Sequence, residues 1–244
     1  LYSFTGGVAK YVQLLVDAGA TTKTKMLNQI IRADSIFVNE GKAILIEEFG
    51  KDYGVYFSIL SAIARGKTSR SEIENIVGRE IGGYLTRLEH EYEIIRKQQP
   101  LFEKSATKNV RYAIGDNFFT FWFRFIYRYS YMLEIGSYES LKSIVNRDYE
   151  TFSGLMLERY FKQALVETHE YTRIGNWWDR KGENEIDIIA ENELNGEATF
   201  IEVKRNPANL DNVLLEKKSE TFLRATGKFR NYSLFFQGLS MENM

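Results

Sequence analysis

The chain has no cysteine. That excludes disulfides, thiolate-bound zinc and cysteine nucleophiles, and it suits a reducing compartment, so a cytoplasmic protein is expected. Proline is nearly absent: Pro100 and Pro207 are the only two in 244 residues, so no proline-rich linker separates domains. No run of about 18 apolar residues occurs, so neither a membrane span nor a membrane partner is expected. Neither charge sign dominates. Thirty-two Lys+Arg face 33 Asp+Glu for a net charge of −1, so any nucleic-acid binding must come from local patches. A phosphate-cradling G-x-x-x-x-G-K-[ST] loop is missing too. His90 and His169 stand apart without metal-ligand spacing, and no Ser/His/Asp arrangement is visible. The chain starts at Leu1 with no charged-then-apolar leader, and the expectation is a piece of a longer protein.

What is present falls into four segments. Residues 1–50 read as short helices, with Val12, Leu15 and Val16 at helical spacing. Residues 51–115 read as three helices and a hairpin, the order of a winged helix-turn-helix. Ser69 or Ser71 caps the second of these helices and Gly78 ends it. Residues 116–146 form an aromatic-rich connecting helix, in which Phe118, Phe119, Phe121, Trp122, Phe123, Phe125, Tyr127, Tyr129 and Tyr131 crowd together. A helix apolar nearly all round packs between domains rather than facing water. Residues 147–244 read as α-β-β-β-α-β, and Asn195-Gly196 predicts that the second and third strands pair antiparallel. The fold class is therefore α+β.

The chemistry concentrates in the stretch TFIEVKRNP, residues 199–207. Side chains alternate along a strand, so Phe200, Glu202 and Lys204 share one face, with Ile201 and Val203 opposite. On NEIDIIA, the same rule puts Glu185, Asp187 and Ile189 on one face and Ile186, Ile188 and Ala190 on the other. Closing the hairpin brings Asp187 beside Glu202. Converging buried carboxylates are costly unless a hard divalent cation joins them, and Mg²⁺ accepts such a ligand pair. Lys204 then holds an attacking water or neutralises charge on a phosphate. The plainer alternative is a salt bridge between Lys204 and Asp187 or Glu202 on a solvated sheet face.

Asp187, then Glu202-Val203-Lys204, preceded by a helix bearing Glu158, resembles the PD-(D/E)XK nuclease superfamily. The resemblance implies a restriction-endonuclease-like αβββαβ domain. Asp187 and Glu202 would bind Mg²⁺ or Mn²⁺, with Lys204 and Glu158 completing the catalytic set. Ile186 stands where the motif has proline. A broader resemblance covers most of the chain. LYSFTGGVAKYVQLL, YAIGDNFFTFWFRFIY and RIGNWWDRKGENEIDIIA with FIEVK are similar to the C-terminal part of the archaeal-type ATPase family. It implies that an AAA-like P-loop domain precedes this region and that residues 1–50 are a remnant of its lid. ATP would then bind only through that missing domain, and this fragment has no ATPase activity of its own.

Two readings follow. In one, the chain is a Mg²⁺- or Mn²⁺-dependent deoxyribonuclease. In the other, it is a non-catalytic module that binds DNA or protein through the winged helix and a degenerate nuclease fold. Candidate DNA contacts are Arg79 and Arg87 on the presumed recognition helix, Arg96 and Lys97 in the hairpin, and Arg180 and Lys181 beside Trp177-Trp178. Lys104, Lys108 and Arg111 add to the basic surplus of the hairpin region. Residues 147–244 carry 13 basic and 17 acidic residues, which weakens any grip on DNA by that domain alone. An ATPase domain or a second copy of the chain, packed through residues 118–131, are the other partners expected.

Overall fold

Helix signals written in the sequence set the first half of the chain. The computed structural model describes residues 1–104 and 107–244. Four helices come first: α1 (Tyr2–Thr5), α2 (Ala9–Asp17), α3 (Lys23–Ile30) and α4 (Ile36–Phe49). They are followed by α5 (Tyr53–Ala64), α6 (Arg70–Val77) and α7 (Gly82–His90). Ser69 and Glu72 form a reciprocal capping box at the start of α6, and Gly78 ends it at φ 74°. Strands β1 (Ile95–Gln98) and β2 (Arg111–Ile114) then pair antiparallel.

The aromatic segment is not the single helix expected. It divides into α8 (Asn117–Phe121), a π-helical stretch (Trp122–Tyr127) and α9 (Ser130–Glu134). A helix this crowded with rings widens locally rather than stacking large side chains every 3.6 residues. Phe118, Phe121, Trp122, Phe123 and Phe125 are buried, whereas Tyr131 is exposed. Phe57 meets Trp122, Phe123 and Tyr127 edge-on at centroid distances of 5.9, 5.4 and 5.1 Å. These rings form a core with α5. The Trp122 indole also donates to the Val38 carbonyl at 3.1 Å. A Cβ added at Gly41 would lie 2.7 Å from that indole. Gly41→Ala is therefore expected to cost about 1–3 kcal/mol through overpacking. A urea midpoint unchanged from wild type would contradict so tight a contact.

The remaining elements are α10 (Tyr138–Glu167), β3 (Arg173–Trp178), β4 (Glu185–Asn192), β5 (Glu197–Val203), α11 (Asn212–Thr226) and β6 (Ser233–Leu239). The chain is thus a mixed α+β protein. It divides into two compact units, Leu1–Gln98 with Arg111–Tyr149, and Gln99–Val110 with Glu150–Met244. The division falls inside α10.

The second unit is built on a four-stranded sheet of order β3-β4-β5-β6. β4 runs antiparallel to β3 and to β5, and β6 runs parallel to β5. Both faces are covered. Leu157 and Phe161 of α10 pack with Ile188, Ile201, Val203 and Leu239 on one face. Leu215 and Phe222 of α11 pack with Ile186, Ile189, Ala198 and Phe200 on the other. β5 alternates between the two clusters, as a central strand with two buried faces must. Asp211 caps α11 and Gly227 closes it at φ 66°, fixing which helix face meets the sheet.

Residues 99–110, between β1 and β2, belong to this second unit. The Leu101 N–H donates to the Asn176 carbonyl at 2.9 Å, so the segment extends along the edge of β3. Phe102 packs on Phe229 and Phe222 at 5.4 and 6.1 Å. The Trp178 indole donates to Asn109 at 2.8 Å. An otherwise open sheet edge is thereby covered. Lys104 and Lys108 fall in this segment, whereas Arg96, Lys97 and Arg111 belong to the first unit, so the expected basic hairpin cluster is divided between the units.

Candidate functional site

The carboxylates and Lys204 meet where β4 and β5 leave their ladder. The last paired residues at this end are Ile188 and Ile201, so Asp187 and Glu202 are each the next residue outward. β4 carries a bulge at the same point. Gly175 pairs with Ile189 and Trp177 with Ile186, so Asp187 and Ile188 together oppose Asn176. An inserted residue resets alternation. Ile186 and Ile189 consequently share the cluster under α11, while Ile188 lies in the cluster under α10. This corrects the expected faces of β4: a strict period of two does not survive the bulge.

Asp187 accepts a hydrogen bond from the Val203 N–H at 2.8 Å, the role a ladder carbonyl would play. Glu202 is only 4% exposed. The Lys204 ammonium lies 2.7 Å from Glu202 Oε1 and 3.9 Å from Asp187 Oδ2. Lys218, from α11, reaches both Glu202 oxygens at 3.1 and 3.3 Å. Glu158 follows Leu157 on α10, one turn before Phe161, so it projects from the helix face that meets the sheet.

The electrostatics separate these acids. Burial pushes the Glu158 carboxyl up to about 8, and the charges of Asp187 and Glu185 push it the same way. Burial also raises Asp187, overcoming the Val203 hydrogen bond and the Lys204 charge, with Glu202 adding repulsion. For Glu202, burial acts upward too, but hydrogen bonds and charge from Lys204 and Lys218 win and hold it below the ordinary range. Burial acts to lower Lys204, and its bond to Glu202 with the charges of Asp187, Glu202 and Glu158 raises it overall. The cluster thus combines one firmly ionised carboxylate, two that resist ionisation and two ammonium groups.

An all-oxygen donor set fits a hard divalent cation. Asp187 and Glu202 are the residues that would hold it, with Glu158 and Glu185 nearby. Among the described residues no three acidic or histidine side chains form a ready-made cage. The Glu202 oxygens already face two lysines.

Residues 122–225 match a family. Its description is "Archaea bacterial proteins of unknown function". The matched span contains Glu158, Asp187, Glu202, Lys204 and Lys218. The chain is also similar to an uncharacterized protein of Methanocaldococcus jannaschii, 32% identical over an alignment of 220 residues that covers 84% of this chain and 47% of that protein. The chain therefore spans about half the length of that relative. No solved structure matches it.

The six basic candidates do not share one unit. Arg79, Arg87, Arg96 and Lys97 belong to the first unit, and Arg180 and Lys181 to the second. Arg79 lies over the Tyr84 ring at 5.6 Å. Arg87 pairs with Glu91 at 3.8 Å. It lines an open cleft with Arg70, Tyr84, Asp52 and Glu80, whose mixed charges largely cancel any pull on phosphate. Arg96 and Lys97 point outward from β1, flanked by buried Ile95. Arg180 and Lys181 lie exposed in the β3–β4 loop, where Asp179 accepts three backbone N–H bonds. That loop joins the strand ends next to Asp187.

Lys218 was not among the sequence candidates. Its spacing carries a signal: it follows Leu215 by three residues and precedes Phe222 by four, so it rides the inward face of α11. Lys162 and Asn176 were also missed. Lys162 follows Glu158 by four residues and donates to Asn176, opposite the bulge, at 2.6 Å.

Proposed function

We propose that the second unit is a nuclease-like domain of the PD-(D/E)XK type, acting on phosphodiester bonds in DNA with Mg²⁺ or Mn²⁺ held by Asp187 and Glu202. The observation that carries this reading is the position of Lys204. One ammonium lies within 3.9 Å of both carboxylates, at the ends of two adjacent strands. The α-β-β-β-α-β order around it supports the same reading. A bound cation would supply Lewis acidity and offset phosphate charge. Lys204 is 38% exposed at its side chain, so it can orient a water and neutralise charge growing on the phosphate. Glu158, buried beside Asp187 and Glu185, adds a further carboxyl to the cation's surroundings.

The first unit, with three helices followed by a hairpin, supports a winged-helix reading in which Arg79, Arg87, Arg96 and Lys97 contact DNA. The resemblance to archaeal-type ATPases, together with a relative about twice as long, supports placing this region beside a P-loop domain.

The test is nicking of plasmid or branched DNA in Mn²⁺ by the whole chain, beside Glu202→Gln and Lys204→Ala. Each substitution is expected to lower the rate by about 10²-fold or more. Equal cleavage by all three proteins rules this site out. The second reading, a non-catalytic module, is favoured by one feature: Glu202 is already neutralised by two lysines. It predicts no heat of Mn²⁺ binding at millimolar concentration.

A further inference from the structure

We propose that Lys218 is a built-in counter-ion that holds Glu202 in the metal-free protein and competes with a divalent cation for that carboxylate. The inference rests on the metal-site reading above and adds a positioning residue to it.

The argument begins with occupancy. Glu202 has two oxygens and is almost wholly buried. Oε1 faces Lys204 at 2.7 Å and Lys218 at 3.3 Å, and Oε2 faces Lys218 at 3.1 Å. A cation approaching this carboxylate meets an ammonium at each oxygen. The two lysines differ in what holds them. Lys204 is two residues from Glu202 on the same chain segment and is shared with Asp187 at 3.9 Å. Lys218 arrives from α11, a separate element anchored on the sheet by Leu215 and Phe222. Its charge sits on a flexible four-carbon stem, so the ammonium can withdraw without moving the helix. Lys218 is therefore the group that yields.

The charge arithmetic agrees. With both carboxylates ionised, Lys204 and Lys218 together balance Asp187 and Glu202, so the cluster is close to neutral without any ion. A cation arriving with Lys218 in place meets two positive charges and a carboxylate already bonded at both oxygens. Taking Lys218 away leaves Glu202 with an open oxygen and the cluster with a net negative charge. Metal affinity must then rise, the opposite of the damage expected from losing a structural salt bridge.

The experiment is calorimetric titration of the purified whole chain with MnCl₂. It compares wild type, Lys218→Met, Lys218→Arg and Asp187→Asn, with thermal melts of each in EDTA and in Mn²⁺. Lys218→Met is expected to bind Mn²⁺ about tenfold tighter or more, given the strength of a unit charge at this range. Lys218→Arg, which keeps the charge, stays within about threefold of wild type. Asp187→Asn loses binding. Lys218→Met should also melt below wild type in EDTA and recover in Mn²⁺. If it fails to fold, Lys218→Gln carries the same comparison. Binding by Lys218→Met that is equal to or weaker than wild type, with Asp187→Asn still inactive, overturns the proposal and leaves the metal site standing. No binding by any of the proteins overturns both.

Discussion

Phe222→Ala is expected to destabilise the second unit by about 3–5 kcal/mol, the largest loss of any single core truncation proposed for this chain. Phe222 is fully buried. Its ring meets Trp177 and Phe200 at 5.5 Å each, Phe229 at 5.6 Å and Phe102 at 6.1 Å. Those neighbours come from β3, β5, the turn before β6 and the segment 99–110. Truncation therefore opens a cavity at a point where four stretches of chain converge, and none can close it alone. Urea unfolding followed by circular dichroism measures the loss. A change below about 1 kcal/mol would show that the aromatic cluster is not the core of this unit. The effect reaches the site as well. Phe222 and Lys218 lie one turn apart on α11, so a loosened helix carries the Lys218 ammonium away from Glu202.

The parts of this structure governed by local rules were legible in the sequence. Ser69 and Gly78 mark both ends of α6, and the Asn195-Gly196 signal matches the antiparallel pairing of β4 and β5, with Gly196 at φ 65°. The strand–helix order of residues 147–244 followed from periodicity and turn residues. Glu158 could be placed on the right face of α10 because Phe161 and Leu165 share its helical spacing.

Features set by distant contacts were not legible. The bulge at Asp187 is not fixed by residues 185–190 alone, since an extra residue is defined only by the partner strand. Spacing from Leu215 and Phe222 puts Lys218 on the inward face of α11, but its partner Glu202 is defined only once α11 is docked on the sheet. Residues 99–110 read as the loop of a hairpin, yet Leu101 and Phe102 are consumed by the second unit. The aromatic segment failed as a helix for a different reason. Its apolar residues satisfy every period at once, so periodicity has nothing to discriminate.

Glu158→Gln is expected to remove much of the loss of stability that rising pH causes at the site. The Glu158 carboxyl rises from an ordinary value of 4.5 to about 8 in the folded protein, first by burial and then by Asp187 and Glu185. Between those values the folded state keeps a proton that the unfolded chain releases. Stability must then fall as pH rises through this window, and the contribution is fully present only below about pH 4.5. Glutamine fixes the neutral form. In EDTA the variant should match wild type near about pH 5 and exceed its stability by on the order of 3 kcal/mol near about pH 8.5. Asp187, also raised by burial, contributes a slope of the same sign to both proteins, and because the two acids repel each other the difference reports the pair. Urea midpoints across this range supply the measurement. A difference that stays flat would mean that neither burial nor the neighbouring carboxylates hold the proton on Glu158. Mn²⁺ adds a discriminating arm: a cation among these acids replaces the proton, so wild type should regain its stability at high pH while the variant gains less. A pH profile unmoved by Mn²⁺, together with the expected slope in EDTA, would leave a crowded acidic cluster in which no ion binds.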